Sequence, residues 1–113
     1  MTDRELLEYA AKAARLEEFT CINGRYAYRD RHTGLQDWVS WDPLVDDGDA
    51  LRLVVKLNLQ VSYEPEPEGP IVIAIFAHLP VIVSASEDLG KDPCAATRRA
   101  IVRAAAKVGK TMK

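Results

Sequence analysis

The run Ile71-Val72-Ile73-Ala74-Ile75-Phe76-Ala77 most constrains what this chain can fold into. It is apolar throughout and rich in β-branched residues, which pack well on a pleated surface and lose rotamer freedom in a helix. A membrane-spanning helix needs about 20 such residues, so the run is far too short to cross a bilayer. Glu64-Pro65-Glu66-Pro67-Glu68-Gly69-Pro70 precedes it and His78-Leu79-Pro80 follows it. The prolines lack the N–H a strand or helix interior needs, so the first flank reads as a stiff, acidic, polyproline-like connector and the second as a turn. An uninterrupted apolar strand predicts the centre of a sheet, buried on both faces.

The neighbouring segments supply its partners. Leu59-Gln60-Val61-Ser62-Tyr63 alternates with period two and predicts a half-exposed strand. Val81-Ile82-Val83-Ser84-Ala85 predicts the returning strand, with Ser86 to Lys91 as loop. Earlier in the chain, Phe19 to Ile22 and Arg25 to Tyr28 flank Asn23-Gly24, the dipeptide suited to a type I′ hairpin turn with positive φ at both central positions. Asp30 to Gly34 reads as a second polar loop, and Leu35 to Trp41 as a third short strand.

Three helices are expected. The first spans 3–17, with Thr2 and Glu5 at capping-box spacing and Leu6, Leu7, Ala10 and Ala14 on one face. The second spans 47–57. Pro43 ends the preceding strand, aspartates open the helix, and Asn58 is a left-handed stop. Ala50, Leu51, Leu53, Val54, Val55 and Leu57 leave it little polar surface, which predicts a central helix covered by sheet or by another helix. The third spans 93–108, with Asp92 as N-cap, Pro93 at the first helical position, and Gly109 as its stop. The expected fold is α+β, a mainly antiparallel sheet packed against three helices in a single domain.

Composition narrows the function classes. A 113-residue chain that is 48% hydrophobic and 28% charged has the make-up of a globular protein, and its net charge of −2 gives no overall bias toward nucleic acid or membrane. The N-terminus enters an acidic helix start with no apolar segment, which predicts the absence of a secretory signal. Cys21 and Cys94 lie far apart without metal-ligand spacing, and are expected to be reduced, partly buried thiols.

Four groups of residues are candidate sites. Asp42, Asp46, Asp47 and Asp49 could hold a hard cation or meet a partner, but they match no calcium-loop spacing, and capping of the helix start is the simpler reading. Arg98, Arg99, Arg103 and Lys107 give the third helix a basic face that could meet phosphates, a partner protein or the chain's own acids. His32 and His78 sit in or beside turns with no nucleophile motif nearby. A Cys94–His78 pair is the one catalytic combination conceivable, with Cys94 in the first turn of the last helix. Trp38, Trp41, Tyr26 and Tyr28 are the aromatic group, with Tyr26 and Tyr28 sharing one strand face. Trp41 is expected in the core, and Trp38, Tyr26 and Tyr28 on a partner surface. No catalytic, cofactor or metal residue is assigned.

Two stretches carry a resemblance to a known family. They are Trp41-Asp42-Pro43-Leu44 with Asp46-Asp47-Gly48-Asp49-Ala50-Leu51-Arg52-Leu53, and Asp92-Pro93 with Ala95 to Ala106. With the helix start at 3–15, they resemble the phage α-β-α sandwich domain family, small bacteriophage and prophage proteins similar in outline to NinX-like phage proteins. The resemblance covers about half the chain. It implies helices packed against a sheet, a phage or prophage origin, and action in the bacterial cytoplasm. It carries over no catalytic residue.

The expectation is therefore a non-enzymatic accessory protein that binds a phage or host protein and needs no cofactor. Nucleic-acid binding through the basic helix is one alternative. A small-ligand-binding or hydrolytic domain, with its pocket near Trp38, Trp41 and His78, is the other. Self-association through alanine-rich helix faces or an edge strand is also open.

Overall fold

The computed structural model describes residues 1–29 and 38–112. In chain order the elements are α1 (Asp3–Ala13), β1 (Thr20–Ile22), β2 (Arg25–Arg29), β3 (Trp38–Ser40), α2 (Asp47–Leu57), β4 (Gln60–Glu64), β5 (Ile71–His78), β6 (Val81–Asp88) and α3 (Pro93–Thr111). The class is α+β as expected, with two three-stranded antiparallel sheets, β1-β2-β3 and β4-β5-β6. The predicted strand over 35–41 begins within the described residues at Trp38; its first half and the polar loop at 30–34 lie outside them.

Local chemistry sets most boundaries. Thr2 accepts from the Glu5 N–H while Glu5 accepts from the Thr2 N–H, a complete capping box. The first helix stops four residues short of the expected 17, because Arg15 takes φ 58° and the Leu16 N–H turns back to the Ala11 carbonyl. That is a Schellman-type end, with arginine in the position glycine usually fills. Asn23 and Gly24 both have positive φ, as the hairpin turn requires, and Asn58 closes α2 in the left-handed region.

The central helix is α3, not α2. Ala100, Ile101, Val102, Ala104, Ala105, Ala106 and Val108 are buried, so α3 is covered on every side except the strip of Arg99, Arg103, Lys107 and Lys110. It packs against α1, α2, β5 and β6. The small alanines let its neighbours approach closely on several sides. Gly109 does not end the helix, which continues to Thr111; it is the point where α1 crosses, and a Cβ there would overlap the Tyr9 backbone. The alanine-rich faces of α1 and α3 are consumed inside the chain, which closes that route to self-association.

α2 is covered on one side only. Ala50, Leu53 and Leu57 are buried, whereas Leu51 is 63% and Val55 73% exposed. The reason is position: α2 leans on α3, and the three-stranded sheet beside it ends at β4.

The same shortage of cover corrects the reading of β5. It is the central strand, but Ile71, Ile73 and Ile75 stay partly exposed while Val72 and Ala74 are buried. The register aligns Val61, Ala74 and Ala85 on the helix side, and Ser62, Ile73 and Ser86 on the other. Helices cover only the first face. The returning strand β6 is longer than expected, running through Ser86 to Asp88 in register with β5.

The smaller sheet packs on the core through aromatic rings. Phe19 stacks on Tyr26 at 5.9 Å and meets buried Trp41 edge-on at 5.7 Å.

Candidate functional site

The basic residues of α3 are each engaged within the chain. Arg98 donates to the Leu44 carbonyl at 2.9 Å and to Asp47 at 2.6 Å. Arg99 bonds Asp3 at 2.9 Å and lies 3.6 Å from Glu87. Arg103 donates to Glu87 at 2.7 Å and to the Ser86 carbonyl at 2.9 Å, and Lys107 donates to the Ser84 carbonyl. The long side chains therefore tie α3 to the α2 start, the α1 start and β6, and the three arginines are paired with acids there.

The aromatic group divides. Tyr26 and Tyr28 share a face as the strand parity requires, and that face is turned to the core with Trp41. Trp38 is opposite Arg29 across the strands, 44% exposed, with the guanidinium 4.7 Å above its ring. His32 lies outside the described residues. His78 lines a cleft with Val108, Thr111 and Met112 at the end of α3, whereas Cys94 is exposed in that helix's first turn. The 14 residues from 94 to 108 rise about 21 Å, so the two side chains cannot act together. Trp41 lines a different cleft with Tyr28, Val39 and Leu53, so the pocket expected near Trp38, Trp41 and His78 is not assembled.

The aspartates at the start of α2 form a backbone clamp. Asp46 accepts from the Asp49 N–H, Asp49 from the Asp42 N–H and from Arg52, and Asp42 from the Leu44 N–H. Partial burial raises the Asp42 carboxyl above the ordinary aspartate range, with Asp49 and Asp3 adding to the shift and the Leu44 N–H opposing it. Among the described residues no three His, Cys, Asp or Glu side chains converge as a metal site would need. No described helix is long and apolar enough to cross a membrane.

What remains uncommitted is apolar. On the face of the β4-β5-β6 sheet turned away from the helices, Ile71, Ile73 and Ile75 form a stripe along β5, joined by Ile82, which is 63% exposed. Gln60, Ser62 and Glu64 border the stripe on one side, and Ser84, Ser86 and Asp88 on the other. An apolar centre with a polar margin is the anatomy of an interaction surface. Sequence reasoning placed these isoleucines in a dry interior. The signal against that was in the flanking strands, whose residues of matching parity are serine, glutamine and acid. A second apolar feature is a groove of about 570 Å³ between α2, α3 and β4, floored by Val54, Val61 and Ile101 and edged by Leu51 and Tyr63.

Comparison of the chain with protein-family models, curated proteins and solved structures finds no match.

Proposed function

We propose that this chain is a non-enzymatic accessory protein of a bacteriophage or prophage that binds a phage or host protein in the bacterial cytoplasm. The open isoleucine face carries the binding reading. Ile71, Ile73, Ile75 and Ile82 leave apolar surface in water that no described element of the chain covers. Covering such surface stabilises by about 25 cal/mol per Å². The phage origin and the cytoplasmic setting rest on the resemblance of the two Asp-Pro junctions. The nucleic-acid alternative is weakened by the intramolecular partners of Arg98, Arg99, Arg103 and Lys107.

The test is affinity capture from phage-infected bacteria with the wild-type chain and with Ile73→Lys. Ile73 lies mid-stripe, so the variant places a charge at the centre of the face without touching the helix side. A partner retained by wild type and lost with the variant, at unchanged thermal stability, supports the reading. Identical recoveries with both chains would remove the face from it.

A further inference from the structure

The two edges of the β4-β5-β6 sheet are treated differently. The Leu89 N–H bonds the Pro70 carbonyl, extending the β5–β6 ladder by one pair. In an antiparallel ladder hydrogen-bonded pairs alternate along the strands. Even-numbered β5 residues therefore turn their backbone groups to β6, and odd-numbered ones turn theirs to β4. It follows that Ser84 and Ser86 of β6 face outward, and those are the two carbonyls that Lys107 and Arg103 cap. Cationic caps of this kind stop an edge strand from pairing further.

The same parity leaves Val61 and Tyr63 of β4 with outward N–H and C=O groups, and among the described residues nothing bonds them. The free edge is short and well bounded. The Leu59 N–H is taken by the Val54 carbonyl at one end, and Pro65 has no N–H at the other.

We propose that β4 pairs antiparallel with β4 of a second copy of this chain, about a two-fold axis at Ser62, to give a six-stranded sheet. In this register Val61 meets the copy's Tyr63, and both residues carry outward backbone groups, so all four bonds across the seam form. Centring on Tyr63 instead would set Val61 against Pro65, and centring on Val61 would set Tyr63 against the already bonded Leu59. The side chains of Gln60-Val61-Ser62-Tyr63-Glu64 are self-complementary only about Ser62. Valine faces tyrosine on the helix side, while glutamine faces glutamate and serine faces serine on the other. No acid meets an acid. The axis stands perpendicular to the sheet, so both helix layers lie on one side. It brings the exposed ridge of Leu51 and Val55, with Tyr63 at 58% exposure, toward its own copy. The pairing thus also accounts for the apolar side of α2 that its own chain leaves bare.

The test uses the full chain. Ser62 and its copy would form a non-hydrogen-bonded pair with Cα atoms about 4.5 Å apart, inside the disulfide range. In a Cys21→Ser, Cys94→Ser background, Ser62→Cys should oxidise to a covalent dimer, whereas Ser84→Cys, on the capped edge, should not. Light scattering should give a dimer for wild type and at least about tenfold weaker association for Ser62→Lys, which opposes two ammonium groups. A wild-type chain that stays monomeric at all concentrations would overturn the proposal. So would a dimer that Ser62→Lys leaves intact, or one in which Ser62→Cys cross-links no better than Ser84→Cys. Ile73→Lys lies one strand in from the β4 edge and leaves its outward backbone groups untouched, so it should still dimerise, and a variant that loses partner binding while it keeps pairing separates the two readings.

Discussion

Gly109 of α3 lies so close to Tyr9 of α1 that a Cβ added to it would come within 2.7 Å of the Tyr9 carbonyl carbon. The contact is backbone against backbone, so no rotamer change relieves it. In an ordinary helix interior, replacing glycine by alanine stabilises by roughly 0.5–1 kcal/mol. Here the sign should reverse. Gly109→Ala is expected to cost about 1–3 kcal/mol or more through forced separation of the helices. Urea unfolding of the variant checks it, and an unchanged or raised midpoint would contradict the close crossing.

Arg98 and Arg99 are adjacent but should respond unequally. The Arg98 side chain is mostly buried and satisfies the Leu44 carbonyl as well as Asp47. Its truncation to alanine leaves that carbonyl unpaired and should cost about 1–3 kcal/mol. Arg99 makes more exposed ion pairs to Asp3 and Glu87, and its truncation should cost under about 1 kcal/mol. Parallel denaturation curves at low and high salt decide this, with only the Arg99 increment fading as salt rises.

Asp42 makes stability depend on pH in a definite sense. Its folded pKa is raised, chiefly by burial, so the folded state favours the protonated form. Its contribution is therefore fully present below the unfolded value and is lost as pH rises through the folded one. Asp42→Asn keeps an oxygen for the Leu44 N–H and removes the charge. The variant should unfold at higher urea than wild type at neutral pH, with the gap closing as pH falls through the carboxylate range. Glu5 acts oppositely. Its bonds to Thr2 lower its pKa, so its contribution is lost as pH falls. Thr2→Ala should cost about 0.5–2 kcal/mol.

The two tryptophans should separate spectroscopically. Trp41 is 5% exposed within the aromatic contact to Phe19, and Trp38 lies on the surface beneath Arg29. Acrylamide should quench Trp38 and spare Trp41. Trp41→Ala should cost about 3–5 kcal/mol, and Trp38→Ala no more than about 1 kcal/mol from the lost cation–π contact.

Helix and turn chemistry was legible in the residues themselves. Thr2 with Glu5, Asn23-Gly24, Asp46, Asn58 and Asp92-Pro93 all act within a few positions of where they stand, and each bounds its element as expected. The identity of β5 as the central strand was equally local, since only a strand suits seven such residues between two proline breaks. The candidate site was far less legible. The basic face of α3 is plain in sequence, but nothing in it says that Arg98 reaches Leu44, 54 positions away, or that Lys107 reaches β6.

The sequence by itself thus determined the elements, their caps and the pattern of apolar residues, because those follow from torsion angles and hydrogen bonds made within a turn or two. Only the tertiary structure decided which apolar surfaces are used up. α2 and the outer face of β5 are as apolar as buried elements, yet two three-stranded sheets and three helices leave parts of both uncovered. Coverage depends on how many layers a chain can build around each surface, and that is a property of the packed whole rather than of any segment.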